Sequence, residues 1–153
     1  MSFDVEEQYD KIYRYCYFKM KNREIAEDIT QEAFLRYFEH YHCLSKTASL
    51  KCLYTIARNL CTDEFRKTSF EFCKEETADF SMEEHVITSI SVKNVLSRLS
   101  HDEQELLLLR YVNEVPIEAI SKIYSISRFA VYRRLKSVSN KFKEEFRKED
   151  FHE

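Results

Sequence analysis

The chain has 153 residues and a net charge of −3, and its 44% hydrophobic and 33% charged residues provide enough apolar material for packed cores. It contains no Gly and one Pro, so helices are favoured over β-hairpins, whose tight turns usually need Gly. The lack of Gly also excludes a Walker phosphate loop, a dinucleotide-binding turn and a nucleophile elbow, because each needs a residue without a Cβ atom.

The N-terminal block shows helical periodicity in three stretches. Apolar residues at three-four spacing predict a first helix over residues 3–20 and a second over residues 23–41. A third helix is predicted to begin near Ala48 and to continue past Phe65. Residues 1–68 are therefore expected to form one small helical domain.

An acidic stretch follows this block. Residues 69–91 contain six acidic residues and one Lys, namely Glu71, Glu75, Glu76, Asp79, Glu83, Glu84 and Lys74. Such a charge run is typical of a solvated linker. The sequence therefore predicts a joint at residues 69–82 and a second domain at residues 83–153.

The second block is predicted to contain helices over residues 92–99 and 102–111, followed by two helices that flank the sequence SIS. Ser100 and Glu103 have the spacing of a capping box, and Pro116 suits the first turn of the next helix. Ser127 is a natural N-cap for the last helix. Two helices joined by a short turn predict a helix-turn-helix.

The last two helices are strongly basic. Residues 120–148 contain nine basic residues and two acidic ones, although the whole chain is acidic. Concentrated positive charge is typical of phosphate binding, and Arg can read guanine by paired hydrogen bonds. A merely solvated basic helix is the alternative, and the preceding helix and turn favour DNA reading.

The sequence gives little support for a disulfide framework, a metal site, a cofactor site or a membrane span. Five cysteines without CxxC spacing predict reduced thiols, and the cluster of His40, His42 and Cys43 lacks a second pair of ligands, so no metal is expected. No cofactor is predicted either. No apolar run approaches the roughly 20 residues that span a bilayer, so we expect a cytoplasmic protein without membrane insertion.

Four segments, in order, resemble the bacterial RNA polymerase sigma factors of the extracytoplasmic-function (ECF) group. They are AEDITQEAFLRYF (26–38), CLYTIARNLCTDEFRK (52–67), LSRLSHDEQELLLLRYV (96–112) and IEAISKIYSISRFAVYRRLK (117–136). The resemblance implies an all-α fold, with sigma region 2 at residues 1–68 and sigma region 4 at residues 83–153. It also implies a non-enzymatic protein whose partners are core RNA polymerase and promoter DNA, and it allows for a dedicated anti-sigma factor.

In region 2, the resemblance assigns core polymerase binding to Asp28, Gln31, Glu32 and Phe34. It assigns contact with the minus-ten promoter element to Lys46, Thr47, Tyr54, Arg58, Asn59, Arg66 and Lys67. The loop over residues 43–48 is expected to capture a flipped base. Tyr54 could equally be a core residue, and Asp63 is expected to form a structural pair within its helix.

In region 4, the resemblance makes Tyr132, Arg133 and Lys136 the candidates for base contact at the minus-thirty-five element. Ser127, Arg128 and Arg134 are assigned to the same DNA surface, with the two arginines nearer the phosphates. The chain departs from the family at four positions, which concern promoter sequence rather than function. They are Cys52 where Trp is frequent, Ser125 where Gly is common, and Phe129 and Ala130 in place of a small residue and Thr.

Two other functions stay open at this point. A free-standing helix-turn-helix transcriptional regulator would use only residues 92–148 and would not need core polymerase. An enzyme would need a Cys or His nucleophile with a base and an orienting partner, and no such partner can be assigned.

Overall fold

A computed structural model describes residues 4–40, 45–68 and 90–150. The described residues are helical and contain no strand, which confirms the all-α fold. The helices are α1 (Val5–Met20), α2 (Arg23–His40), α3 (Lys46–Thr68), α4 (Ile90–Ser97), α5 (His101–Leu107, continued by a π-helical turn over Leu108–Val112), α6 (Ile117–Tyr124) and α7 (Arg128–Asp150). The predicted joint at residues 69–82 lies outside the described residues.

Polar side chains at several helix N-termini accept hydrogen bonds from backbone N–H groups that lack a helical partner. Ser100 accepts from the N–H of Glu103 at 3.1 Å, and the Glu103 carboxylate accepts from the N–H of Ser100 at 2.9 Å, which confirms the capping box. Ser45 accepts from the N–H of Ala48, so α3 begins at Lys46, earlier than predicted. Pro116 is the N-cap of α6 rather than a residue of its first turn.

Left-handed turns end α1 and α6 without Gly. Lys21 and Ser125 have φ angles of 55° and 59°, where a Cβ atom costs about 1–2 kcal/mol. Backbone bonds hold both turns, and the Ser121 hydroxyl also donates to the Ile126 carbonyl at 2.6 Å. The turn between α6 and α7 is therefore fixed although Ser125, and not Gly, occupies its left-handed position.

The N-terminal helices pack around the fully buried side chains of Ile12, Ala33 and Leu53. The C-terminal helices pack around Leu109 and other buried residues that include Ile120 and Val131. The two blocks also pack against each other, chiefly α3 against α6, and the buried residues of both belong to one core. No described helix has the length and apolar character needed to span a bilayer.

Candidate nucleic-acid and protein-binding surfaces

Helices α6 and α7 form the predicted helix-turn-helix. α7 buries Val131, Leu135 and Val138, which share one face of the helix. The Ser127 hydroxyl accepts a hydrogen bond from the N–H of Ala130 at 3.0 Å, which confirms its role as N-cap. The opposite face of α7 therefore remains available to a ligand.

This outer face of α7 is basic. Every residue assigned to the minus-thirty-five surface is exposed: Ser127, Arg128, Tyr132, Arg133, Arg134 and Lys136. Within the described part of the chain, no hydrogen bond or ion pair occupies the four cationic side chains among them. Lys141 differs, because its Nζ lies 3.2 Å from Glu103 Oε1 and ties α7 to α5. The four unpaired cations can neutralise phosphates or donate to base edges.

Phe129 lies on the same surface and was missed as a site residue by the sequence analysis. Its side chain is 79% exposed, in the first turn of α7 and directly after Arg128. Exposing so much apolar surface to water is unfavourable. In the major groove of DNA, a thymine methyl group offers such a ring an apolar contact. The signal in the sequence was an aromatic residue near the start of the helix that was predicted to read DNA.

The residues assigned to polymerase binding divide into two groups. Asp28 and Gln31 are exposed on α2, and Glu32 is partly exposed, with its carboxylate 2.8 Å from Arg36 Nε. Phe34 is buried and packs with its ring centroid 5.4 Å from that of Tyr9. Phe34 therefore supports α2 from inside, which corrects its assignment to the contact surface.

An open groove between α2 and α3 extends the polar surface. Asp28 and Glu32 line one wall, and Asp63 and Lys67 line the other. Two apolar residues of α2, Leu35 and Phe38, are about half exposed beside the acidic positions. Neither residue was assigned to a site from the sequence, although exposed apolar residues next to polar ones are typical of a protein contact.

On α3, most residues assigned to the minus-ten element are accessible. Lys46, Asn59, Arg66 and Lys67 are exposed, and Thr47 is partly exposed. Lys46 and Thr47 lie in the first turn of α3 rather than in the expected loop, because Ser45 caps the helix there. Asp63 Oδ1 lies 3.8 Å from Arg66 Nη1, which agrees with the expected pair within the helix.

Tyr54 is a core residue in this structure. Its side chain is 1% exposed, its ring meets that of Tyr15 edge-on at 5.5 Å, and its hydroxyl accepts a hydrogen bond from Asn113 Nδ2 at 2.9 Å. Burial raises the pKa of the Tyr54 hydroxyl, although the bond from Asn113 opposes this rise. The core alternative describes Tyr54 here, and the assignment to base stacking does not.

Arg58 is also covered, by the C-terminal block. Its guanidinium lies 4.8 Å from the ring centroid of Tyr124, and its Nη1 donates to the Ile123 carbonyl at 3.4 Å. A cation over an aromatic ring is favourable, more so where water is excluded. The side chain predicted to meet DNA therefore meets α6 instead.

A buried carboxylate joins the two blocks through α1 and α5. Glu105 is 2% exposed, and its Oε1 lies 2.8 Å from Lys19 Nζ. Its Oε2 accepts hydrogen bonds from the hydroxyls of Tyr15 and Tyr124, each at 3.0 Å. Burial is the main cause of a raised pKa at both hydroxyls, and the Glu105 carboxylate raises the pKa further. Both hydroxyls therefore remain protonated donors.

A buried amide forms a second polar connection. Asn113 is 1% exposed, and its Oδ1 accepts from Arg14 Nη1 at 2.7 Å. Its Nδ2 donates to the Lys11 carbonyl and to the Tyr54 hydroxyl, both at 2.9 Å. All three partners belong to the N-terminal block, so this side chain holds the two blocks together.

Among the described residues, one group of side chains has the spacing of metal ligands. His101, Asp102 and Glu105 place potential ligand atoms within 4.8 Å of one another, but Glu105 is already occupied by Lys19, whose positive charge opposes a metal ion. His42 and Cys43, which stand beside His40 in the sequence, lie outside the described residues. Cys16, Cys52 and Cys61 are free thiols, and Cys43 and Cys73 lie outside the described residues.

Comparison with known proteins identifies relatives of both blocks. Residues 5–71 match the family Sigma-70 region 2. The chain is 28% identical over 145 residues to the ECF RNA polymerase sigma factor SigM of Bacillus subtilis, which covers 85% of this chain and 89% of the relative. SigW, an ECF RNA polymerase sigma factor of the same bacterium, is 27% identical to this chain, and the match covers 82% of this chain and 78% of SigW.

A solved structure with a similar fold is the sigma factor RpoE of Bartonella quintana, in complex with the anti-sigma factor NepR. The two chains share 18% identity and superpose with a TM-score of 0.65, over 91% of each chain. At this identity the similarity concerns the fold, and it extends over both helical blocks.

The burial of Tyr54 leads to a testable prediction. Tyr54→Phe keeps the ring but leaves one N–H of the buried Asn113 amide without an acceptor, which costs about 1–3 kcal/mol of unfolding free energy. Tyr132→Phe is the matched control, because Tyr132 is 58% exposed and its change should stay within about 0.5 kcal/mol. Urea unfolding followed by circular dichroism measures both, and equal, small effects would contradict the buried hydrogen bond.

Proposed function

We propose that this chain, which belongs to the ECF group of RNA polymerase sigma factors, directs core polymerase to promoters through surfaces on α2, α3 and α7. The observation that carries this proposal is the exposed basic face of α7 on a chain whose first block matches Sigma-70 region 2. In this role the protein supplies specificity and no catalysis of its own. It acts where core polymerase acts, in the cytoplasm.

The outer face of α7 reads the minus-thirty-five element. The exposed cations supply phosphate contacts, and the first turns of α7 bring Arg133 and Tyr132 toward base edges in the major groove. Buried Val131 and Leu135 fix the rotation of α7 against α6. The DNA-facing side chains are therefore presented by a rigid element.

The accessible part of α3 takes part at the minus-ten element. Asn59, Arg66 and Lys67 offer an amide and two cations, groups that bind unpaired bases and their phosphates. The polymerase itself docks on the polar row of Asp28, Gln31 and Glu32. A dedicated anti-sigma factor is a further proposed partner of the same chain.

Dependence on core polymerase separates the proposal from its alternative, a free-standing regulator. Purified protein is mixed with core polymerase, and promoter binding is measured with and without core. We expect stable association with core and sequence-selective DNA binding only in its presence. Selective binding by residues 92–148 alone, with no association with core, would instead support the regulator.

The α2 surface can be tested by charge reversal. Asp28→Lys combined with Glu32→Lys should weaken association with core polymerase about tenfold or more. Reversing a charge at an interface replaces an attractive contact with a repulsive one. The helical fold should persist, since both side chains reach solvent. The matched control reverses Glu6 and Asp10, an exposed pair of equal spacing on α1, and an equal loss there would assign the effect to net charge alone.

Base reading by α7 can be tested with Arg133→Ala, assayed with polymerase on a set of promoter variants. A lost guanine contact should relax preference at one minus-thirty-five position by about 1–3 kcal/mol. Arg147→Ala is the control, because Arg147 is exposed farther along α7 and its removal should weaken binding to every sequence alike. If Arg133→Ala behaves in the same way as the control, Arg133 contacts only phosphate.

The exposed ring of Phe129 predicts a preference for thymine. Phe129→Ala should lose affinity only for promoter variants that carry a thymine methyl group near the start of α7, by up to about tenfold. Replacing that thymine with uracil in the DNA should cause the same loss for the unmodified protein and none for the variant. A loss that is independent of the methyl group would contradict this contact.

A further inference from the structure

A pair of buried thiols joins α1 to α3 inside the N-terminal block, away from the proposed binding surfaces. Cys16 of α1 is 0% exposed, and Cys61 of α3 is 1% exposed. The rings of Tyr15 and Tyr54 meet between the same two helices, and Cys61 lies two helical turns after Tyr54 on the same face of α3. The Cys61 thiol donates a hydrogen bond to the Cys16 sulfur, so the two sulfur atoms are direct neighbours.

Both thiols lie at the edge of the buried part of their helices. Cys16 and Tyr17 are the last buried residues of α1, and Cys61 is the last buried one among the described side chains of α3. Helix ends open locally more often than the middle of a packed helix. A brief opening at either end therefore gives a small solute access to the pair.

The two thiols differ in acidity. The hydrogen bond from Cys61 lowers the pKa of the Cys16 thiol, although burial opposes this change. The same hydrogen bond, and then burial, raises the pKa of the Cys61 thiol, against the effect of the nearby Lys19 ammonium. The thiolate is the reactive form of cysteine. Cys16 is therefore the thiol that reacts first, with Cys61 in contact as the second.

We propose that Cys16 and Cys61 form a reversible disulfide when the protein meets a hydroperoxide. With hydrogen peroxide, the Cys16 sulfur attacks one oxygen, the O–O bond breaks, and a sulfenic acid and one water form. The Cys61 sulfur then attacks the Cys16 sulfur, and the S–O bond breaks. The Cys61 proton leaves with the hydroxide as a second water. Two thiols are thus oxidised while one peroxide is reduced, and a small thiol restores the pair by exchange.

The disulfide would tie the end of α1 to α3. Its sulfur atoms are about 2 Å apart, so the hydrogen-bonded thiols approach each other by side-chain rotation and a small shift of the helices. The bond closes the chain between residues 16 and 61, and opening of the adjacent helix ends becomes rarer. The input is chemical and separate from the proposed function, because neither promoter DNA nor polymerase takes part.

The test treats the folded, reduced full chain with hydrogen peroxide. Acid stops the reaction, and unfolding in iodoacetamide then labels every remaining free thiol. We expect the loss of about 2 Da, the mass of two hydrogen atoms, and a cross-linked peptide pair that contains Cys16 and Cys61. Dithiothreitol should reverse both changes. Oxidation confined to the other cysteines would overturn the proposal, because exposure rather than contact would then decide which thiol reacts.

Two variants identify the pair. Cys43→Ala, Cys52→Ala and Cys73→Ala together leave both buried thiols in place, and this variant should form the disulfide as the unmodified chain does. Cys61→Ala should lose the cross-link and leave a sulfenic acid at Cys16 that dimedone traps. If Cys61→Ala does not reach the helical content of the unmodified protein, the triple variant still decides the matter. A triple variant that forms the bond only after unfolding in urea would also overturn the proposal.

Hydrogen exchange tests the structural effect. In the oxidised chain, the amides of the last turn of α1 and of α3 beyond Cys61 should exchange more slowly than in the reduced chain, whereas those of α7 should not change. Equal exchange in both forms would show that the bond does not hold the helix ends. None of these measurements involves polymerase, so their failure and the failure of the proposed function are distinguishable.

Discussion

The relative position of the two helical blocks depends on the carboxylate of Glu105. A charge buried to this extent is unfavourable unless it is paired and hydrogen-bonded, and Glu105 has one cation and two hydroxyls within 3.0 Å. Lys19 and Tyr15 come from α1, whereas Tyr124 comes from α6. One side chain thus couples the first helix, the helix-turn-helix and, through Tyr124, the guanidinium of Arg58.

The packing of the two blocks leaves two of the proposed binding surfaces open and covers part of a third. The polar row of α2 and the basic face of α7 are open, so polymerase docking and minus-thirty-five contact need no rearrangement of the blocks. The Arg58 face of α3 is covered, and Tyr54 is part of the core. Of the proposed surfaces, the polar row of α2 and the basic face of α7 are therefore open in this structure, whereas part of the α3 surface is not.

Local features were predictable from the sequence, whereas the contact between the blocks was not. Val131, Leu135 and Val138 are three or four positions apart, a spacing that puts them on one face of a helix, and the Ser100 capping box needs only residues three positions apart. Tyr54 stayed ambiguous because helical periodicity shows which face is buried, not what covers it. Glu105 was missed because an acidic residue in a helix usually faces solvent, and its partner Tyr15 lies 90 positions away in the chain.

The most direct test is the distance between spin labels on α2 and α7, measured by pulsed electron spin resonance. Labels replace Leu35 and Asn140, two exposed residues, through non-natural amino acids, so that the native cysteines stay unmodified. We expect one narrow distance in the free chain, because the buried contacts of Glu105 and Asn113 hold the two blocks together. A broad distribution of distances in the free chain would contradict this, because the contacts of Glu105 and Asn113 would then not fix one block against the other.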